Sequence, residues 1–180
     1  MKMKNKLLAF ALIAAMALSM VACGDSDGTK VIETEGQGSD TSGTAQAGSG
    51  FVFDYNGTQI AVDTDAAPIV DKLGEPQKYF ESPSCAADGI GKLYTYSDFE
   101  VQTYPQDDKD LILSVTLRTD NVATAEGISL ANSKDDVIAA YGESSNATDS
   151  SLTYTKNGTD LNFIFEGDNM ISIEYIVSGK

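Results

Sequence analysis

Apolar residues recur at two different spacings along this chain, and the switch between them marks its elements. Every second position is apolar in Phe99–Tyr104, Leu111–Arg118, Thr159–Glu166 and Met170–Val177, which reads as strands with one buried face. Lys92–Tyr96 and Ser151–Lys156 read as two more strands. Phe51–Tyr55 and Thr58–Val62 form a further pair. Asn56-Gly57 and Asn157-Gly158 separate two of the strand pairs, and Asn-Gly favours the two-residue hairpin turn in which both central residues take positive φ. Gly167-Asp168-Asn169 marks another turn, and Asp107-Asp108-Lys109-Asp110 lies in the turn before Leu111.

Helical spacing appears twice, 68 positions apart. Val62–Pro76 aligns with Leu130–Ser144, matching Ile69 with Val137, Val70 with Ile138 and Leu73 with Tyr141, and both copies run into Gly-Glu. Each predicts a short helix. Asp65 and Ser133 are the N-cap candidates, because their side-chain oxygens can accept from orphan amides. Asp135 and Asp136 suit the first turn of the second helix, where the dipole favours anions. Gly74 and Gly142 are the closing residues.

The expected class is α+β: two tandem helix-plus-antiparallel-strand repeats, 51–120 and 121–180, sharing one sheet. Helices lie on one face and the other face is open and polar. The alternation assigns Leu111, Leu113, Val115, Leu117, Leu161, Phe163, Phe165, Ile171, Ile173, Tyr175 and Val177 to the core face. It assigns Ser114, Thr116, Arg118, Thr153, Thr155, Asn162, Ser172 and Glu174 to the polar face, with Ile112, Ile164 and Ile176 scattered among them. The tyrosines Tyr94, Tyr96 and Tyr104 read as core rather than as interface anchors, and of the three Tyr104 is expected to be the most exposed.

Residues 1–50 change where this domain is expected to work. Lys2, Lys4 and Lys6 precede Leu7–Val21, an apolar run too short to span a bilayer comfortably, since a spanning helix needs about 20 residues. It suits the h-region of a secretory signal. Leu18-Ser19-Met20-Val21-Ala22-Cys23-Gly24 resembles the bacterial lipobox, with Met20 where Leu is commoner. The resemblance implies diacylglyceryl transfer to Cys23 and cleavage after Ala22, making 1–22 a lipoprotein signal peptide. An ordinary secretory signal would leave Cys23 incidental, but Ala-x-Ala is absent before it. From Cys23 to residue 50 the chain reads as a linker: Gly24–Gly50 contains seven Gly, with Ser, Thr, Asp and Gln filling most of the rest. As a flexible coil it reaches about 30 Å.

Charge narrows the partners. The full chain carries a net charge of −15. Loss of residues 1–22 removes three Lys and no acid, leaving −18. Such a surface disfavours nucleic acid and anionic lipid, both polyanions. It reads as a solvated exterior, with weak collective calcium binding as the sharper alternative.

Candidate chemistry is sparse. There is no His, so neither Ser-His nor Cys-His couples can form, and no Cys/His cluster can hold zinc. With Cys23 lipidated, Cys85 lacks a disulfide partner, and in Ser82–Gly89 it lacks a base. Asp107–Asp110 departs from the calcium-loop pattern. No catalytic residue, metal ligand or cofactor is assigned.

Helix, Gly, then antiparallel strands, twice in tandem on an exported chain, resembles the beta-lactamase-inhibitor-protein-like fold. It is also similar to the small outer-membrane-assembly lipoproteins of the SmpA/OmlA type. Ser133–Glu143, the Asn157-Gly158 hairpin and Ile69–Pro76 carry the likeness. It implies a curved sheet with a concave polar face, and members that bind other proteins rather than catalyse. Inhibition of β-lactamases does not follow from fold alone.

The expectation is therefore a non-enzymatic, lipid-anchored protein on the extracytoplasmic face of the cell membrane, binding a protein partner through its sheet face or the adjoining loops. Tyr104, Ser114, Thr116, Arg118, Thr155, Asn162 and Glu174 are its candidate contacts, with Arg118 the one guanidinium available for bidentate bonds. The alternatives are a small-ligand or cell-wall-glycan binding lipoprotein and a hydrolase using two acids.

Overall fold

The computed structural model describes residues 50–180. The expected signal peptide, Cys23 and the expected linker up to residue 49 lie outside the described residues.

The elements run β1 (Val52–Tyr55), β2 (Thr58–Ala61), α1 (Ala67–Leu73), β3 (Lys78–Pro83), β4 (Ile90–Thr95), β5 (Phe99–Gln106) and β6 (Lys109–Leu117). Then come α2 (Lys134–Tyr141), β7 (Asn146–Ala147), β8 (Ser151–Lys156), β9 (Thr159–Glu166) and β10 (Asn169–Val177). β1 and β2 form a separate hairpin. The other eight strands make one antiparallel sheet in the order β3-β4-β5-β6-β10-β9-β8-β7.

This corrects the expected class. Over the described residues the protein is mostly β, with 48% strand, 11% helix and an eight-stranded antiparallel sheet, rather than an α+β array of helix-plus-strand repeats. The two helices have seven and eight residues. That is two turns each, too little to form a helical layer over eight strands. Two strands also enlarge the sheet beyond the expected set. β3 and β7 are edge strands whose side chains are mostly exposed, so burial imposes no apolar alternation on them.

Local signals that rest on backbone chemistry appear where expected. Asn56 and Gly57, and Asn157 and Gly158, all take positive φ at the β1–β2 and β8–β9 turns. Ser133 caps α2 and shares a capping box with Asp136: Ser133 Oγ accepts from the Asp136 amide, while the Asp136 carboxylate accepts from the Ser133 amide at 2.8 Å. These bonds hold the Asp136 carboxyl below its ordinary range. In α1 the cap position falls on Ala66, and Asp65 one residue earlier accepts from the Ala67 amide at 3.1 Å. Gly74 and Gly142 end the helices alike, each at positive φ with its amide bonded four residues back.

The core is organised by register. Phe99, Leu117, Ile173, Phe163 and Leu152 lie directly opposite one another across five strands, and all are buried. Phe53 and Ile60 from the β1–β2 hairpin, Ile69 of α1, Val137 of α2 and Ile128 of the connecting segment cover them. Phe53 meets Phe99 edge to face at 5.2 Å. Asp63–Ala66 then runs beside the start of β6, with Asp63 N bonded to Ile112 O at 2.8 Å and Ile112 N to Thr64 O at 2.9 Å.

Two β-bulges shift the expected faces. Gln102 pairs with Ser114 but Thr103 with Ile112, so Leu113 is the extra residue in β6. Before it the alternation reverses, and Ile112 rather than Leu111 joins Thr103 and Val101 on the core face. In β10, Met170 pairs with Phe165 and Ser172 with Ile164, which leaves Ile171 unpaired and 47% exposed while Met170 is buried.

The buried hydroxyls of Tyr96 and Tyr175 have no hydrogen-bond partner among the described residues. A buried hydroxyl without a partner carries its desolvation cost uncompensated. Tyr175→Phe is therefore expected to stabilise the fold by about 1 kcal/mol. Urea unfolding checks this, and a lower midpoint would count against it.

Candidate functional site

Directly opposite residues of paired strands point to the same side of a sheet. Successive registers therefore define one polar row across all eight strands: Lys78, Thr95, Glu100, Thr116, Glu174, Asn162, Thr153 and Asn146. It lies on the face opposite the core. A parallel row holds Phe80, Leu93, Gln102, Ser114, Ile176, Asp160 and Thr155. On the other side of Glu174, Ser172 pairs with Ile164 and Ile164 with Ser151.

Of the sequence-predicted contacts, Ser114, Thr116, Arg118, Thr155, Asn162 and Glu174 share this face, but they differ in accessibility. Thr155 and Arg118 are exposed, whereas Thr116, Asn162 and Glu174 are half-buried. Ser114 is buried at 3% exposure, because a short side chain sits between longer neighbours.

Tyr104 must be corrected. It follows the alternation of Glu100 and Gln102, yet it is 1% exposed rather than the most exposed of the three tyrosines. Its hydroxyl donates to Asp63 from the segment beside β6, and the Lys180 ammonium lies 3.4 Å from its ring centroid. Burial, then the Asp63 carboxylate, pushes the phenol up to about 12. Tyr104 fastens the chain end and the β2–α1 connection to the sheet, and it offers no surface.

Arg118 is also committed. Its Nε and one terminal nitrogen both donate to Glu100 Oε2, at 3.0 and 2.7 Å. Glu100, Thr95 and Asp160 belong to the face but were not among the predicted contacts. Glu100 was legible, because it alternates with Phe99 and Val101.

Three carboxylates of this face, Glu100, Asp160 and Glu174, are compensated unequally. Glu100 accepts from Arg118 and, at 3.3 Å, from Thr95 Oγ1. Asp160 accepts from Thr155 Oγ1 at 2.6 Å and from Ser178 Oγ at 2.8 Å. Glu174, in the middle of the sheet, has the Asn162 side chain and no ion pair. Burial pushes its carboxyl above the usual range, while Asn162 and the more distant Arg118 pull the other way.

Elsewhere two ion pairs bind charged groups internally. Lys92 pairs with Asp110 at 2.6 Å and Lys109 with Asp65 at 3.1 Å, so the acidic turn at Asp107–Asp110 is tied to its neighbours. Cys85 is exposed and unpaired. Among the described residues no group of three or more potential ligands is placed to hold a metal ion. No helix there is long and apolar enough to cross a membrane.

No family model matches this chain, and neither a curated protein nor a solved structure does.

Glu174 gives a pH prediction with a definite sign. Its folded pKa lies above its unfolded one. At low pH both states are protonated and its burial costs little. As pH rises through the unfolded value and then the folded one, the charge forms more readily in the unfolded chain, and stability falls. Glu174→Gln is thus expected to raise the thermal midpoint at pH 7, with the gain shrinking below about pH 4. Melting curves at the two pH values decide it. A variant less stable than wild type at pH 7 would remove the strain assigned to this side chain.

Proposed function

We propose that this protein is a lipid-anchored component of the cell envelope that binds another protein through the polar face of its sheet and catalyses no reaction. The observation that carries the reading is the polar row that crosses eight strands on the side away from the core. Its central members are half-buried, and its middle carboxylate is incompletely compensated. A solvated sheet face needs only scattered polar residues. A continuous row of donors and acceptors, flanked by the exposed ring of Phe80, is a surface suited to a complementary partner.

The anchor rests on Ala22-Cys23-Gly24 and its resemblance to the lipobox. A coil spanning 24–50 would hold the domain about 30 Å from the headgroups. The net charge of −18 left after loss of residues 1–22 would discourage it from lying on anionic lipid or nucleic acid. The resemblance to envelope lipoproteins that bind proteins points the same way.

Two measurements test this. Labelled palmitate should enter the wild-type chain and fail to enter Cys23→Ala. A photo-crosslinking side chain at Gln102 or Thr155, both exposed on the polar face, should give a discrete adduct in intact cells. The same group at Asp71, exposed on α1, should not. Equal adducts from all three positions, or none from the sheet, would overturn the sheet-face assignment.

A further inference from the structure

The two edges of the sheet are built differently. β7 offers two residues, Asn146 and Ala147, as a template for a further strand. β3 offers six, Lys78–Pro83, and pairs on one side only, with β4. A long open edge is ordinarily blunted or covered, because its free N–H and C=O groups invite another strand. Of the large apolar side chains that stay exposed among the described residues, Phe80 at 63% and Tyr79 at 49% sit on this edge. Ile90, at 48%, lies opposite Pro83 in β4.

Hydrogen-bond phase shows which backbone groups the edge presents. Ser84 N bonds to Gly89 O at 2.9 Å, one step beyond the last pair of the β3–β4 ladder. Lys92, directly opposite Glu81, turns its amide the other way, to Thr103 Oγ1 of β5 at 3.1 Å. Bonded and non-bonded pairs alternate in an antiparallel ladder. Phe80 therefore bonds inward, to β4, whereas Tyr79 and Glu81 turn their amides and carbonyls outward. Pro83, next in that phase, has no N–H to offer. Gln77, at the other end, has its amide bonded to Thr95 O at 2.8 Å. The usable edge is thus centred on Phe80.

This short edge complements itself. Place two copies antiparallel about a two-fold axis at Phe80, perpendicular to the sheet. Tyr79 of each strand then faces Glu81 of the other, and they exchange N–H···O=C bonds in both directions. The two Phe80 residues meet as the non-bonded pair, at the closer Cα separation of about 4.5 Å. Tyr79 already donates its hydroxyl to Glu81 within one strand, so the same two side chains are compatible neighbours across the axis. Lys78 faces Ser82. Moving the axis to Glu81 would set two carboxylates opposite each other and Tyr79 against Pro83. Moving it to Tyr79 would set Glu81 against Gln77, whose amide is taken. The Phe80 register completes both bonded pairs with no like charges opposed.

We propose that a second copy of this chain pairs on β3, joining two eight-stranded sheets into one continuous antiparallel sheet through Lys78–Ser82. The contact is isologous and closes on itself, and β7 is too short to carry the array onward. The axis keeps both polar faces on the same side. The inference goes beyond the sheet-face reading and does not depend on it. The net charge of −15 on each copy opposes approach from a distance. Dimerisation is therefore expected to tighten as salt screens that repulsion.

The test uses the full chain carrying Cys23→Ser and Cys85→Ser, in a large excess of zwitterionic detergent micelles at about 0.15 M salt. In that background Phe80→Cys should form an intermolecular disulfide under mild oxidation, since so close a pair falls within bridging range. Lys78→Cys and Ser82→Cys should each stay monomeric alone and crosslink when mixed, because position 78 faces position 82 of the other copy. Ile171→Cys, 47% exposed on β10, is the collision control and should not crosslink. With the natural cysteines in place, Phe80→Glu opposes two carboxylates at the axis. It should weaken the dimer at least tenfold in sedimentation while leaving the far-UV spectrum unchanged. Equal disulfides at positions 80 and 171, no mixed disulfide between 78 and 82, or sedimentation unchanged in Phe80→Glu overturn the inference. So does a monomeric wild type whose β3 pairs with a different protein instead.

Discussion

The pairing of β6 with β10 is the constraint on which the rest of the structure depends. Leu117, Thr116, Val115 and Ser114 face Ile173, Glu174, Tyr175 and Ile176 in turn. This short ladder joins strands β3–β6 to strands β7–β10, which otherwise share no backbone hydrogen bonds within the sheet. It also decides both faces at once. Leu117 against Ile173 continues the buried row from Phe99 to Leu152, and Thr116 against Glu174 continues the polar row from Lys78 to Asn146. A slip of one residue would turn Glu174 into the core and Tyr175 out of it. The register is thus enforced by hydrophobic burial, and the proposed binding surface is a by-product of the same alternation.

What the sequence made legible was whatever depends on backbone chemistry within a few residues. Asn-Gly can occupy the paired positive-φ positions of a tight hairpin at little cost, so both such turns could be located without a structure. Ser133 and Asp136 satisfy each other's orphan groups across one helical turn, which is again a local event. The bulges at Leu113 and Ile171 depend instead on what lies across the ladder. Period-two reading carried straight through them, and so exchanged Ile112 with Leu111 and Met170 with Ile171. The edge strands were hidden for the opposite reason: Lys78-Tyr79-Phe80-Glu81-Ser82-Pro83 buries almost nothing and has no apolar phase to read. Once these strands and the two-turn helices are recognised, the balance moves from α+β to a mostly β fold.

The candidate face was legible in outline and misjudged in its details for an electrostatic reason. Alternation identifies which residues share a side, but it does not say which of them are already bound to one another. Arg118 looks available in a list of residues, and in three dimensions Glu100 holds it through two donors. Tyr104 looks like an exposed aromatic until Asp63 and Lys180 close over it from distant parts of the chain. Subtracting these internal pairs leaves Glu174 as a half-buried carboxylate with Asn162 beside it and no ion pair, and that distinction required the structure.

The fold has little need for Glu174 to be charged. A neutral polar residue there would keep the Asn162 contact and the pairing with Thr116 without placing a charge where burial resists it. Asp160 is instructive, because two hydroxyls donate to it at 2.6 and 2.8 Å and it lies nearer the end of its strand. Glu174 has the Asn162 side chain in place of two such hydroxyls. Internal satisfaction would make this part of the sheet more stable and less able to gain from contact, since a group already bonded must be freed before it can bind. A half-buried carboxylate without an ion pair has met part of its desolvation cost on folding, so a donor that reached it would meet less of that cost. Local destabilisation at the middle of a well-determined sheet is therefore what supports the proposed contact at this face.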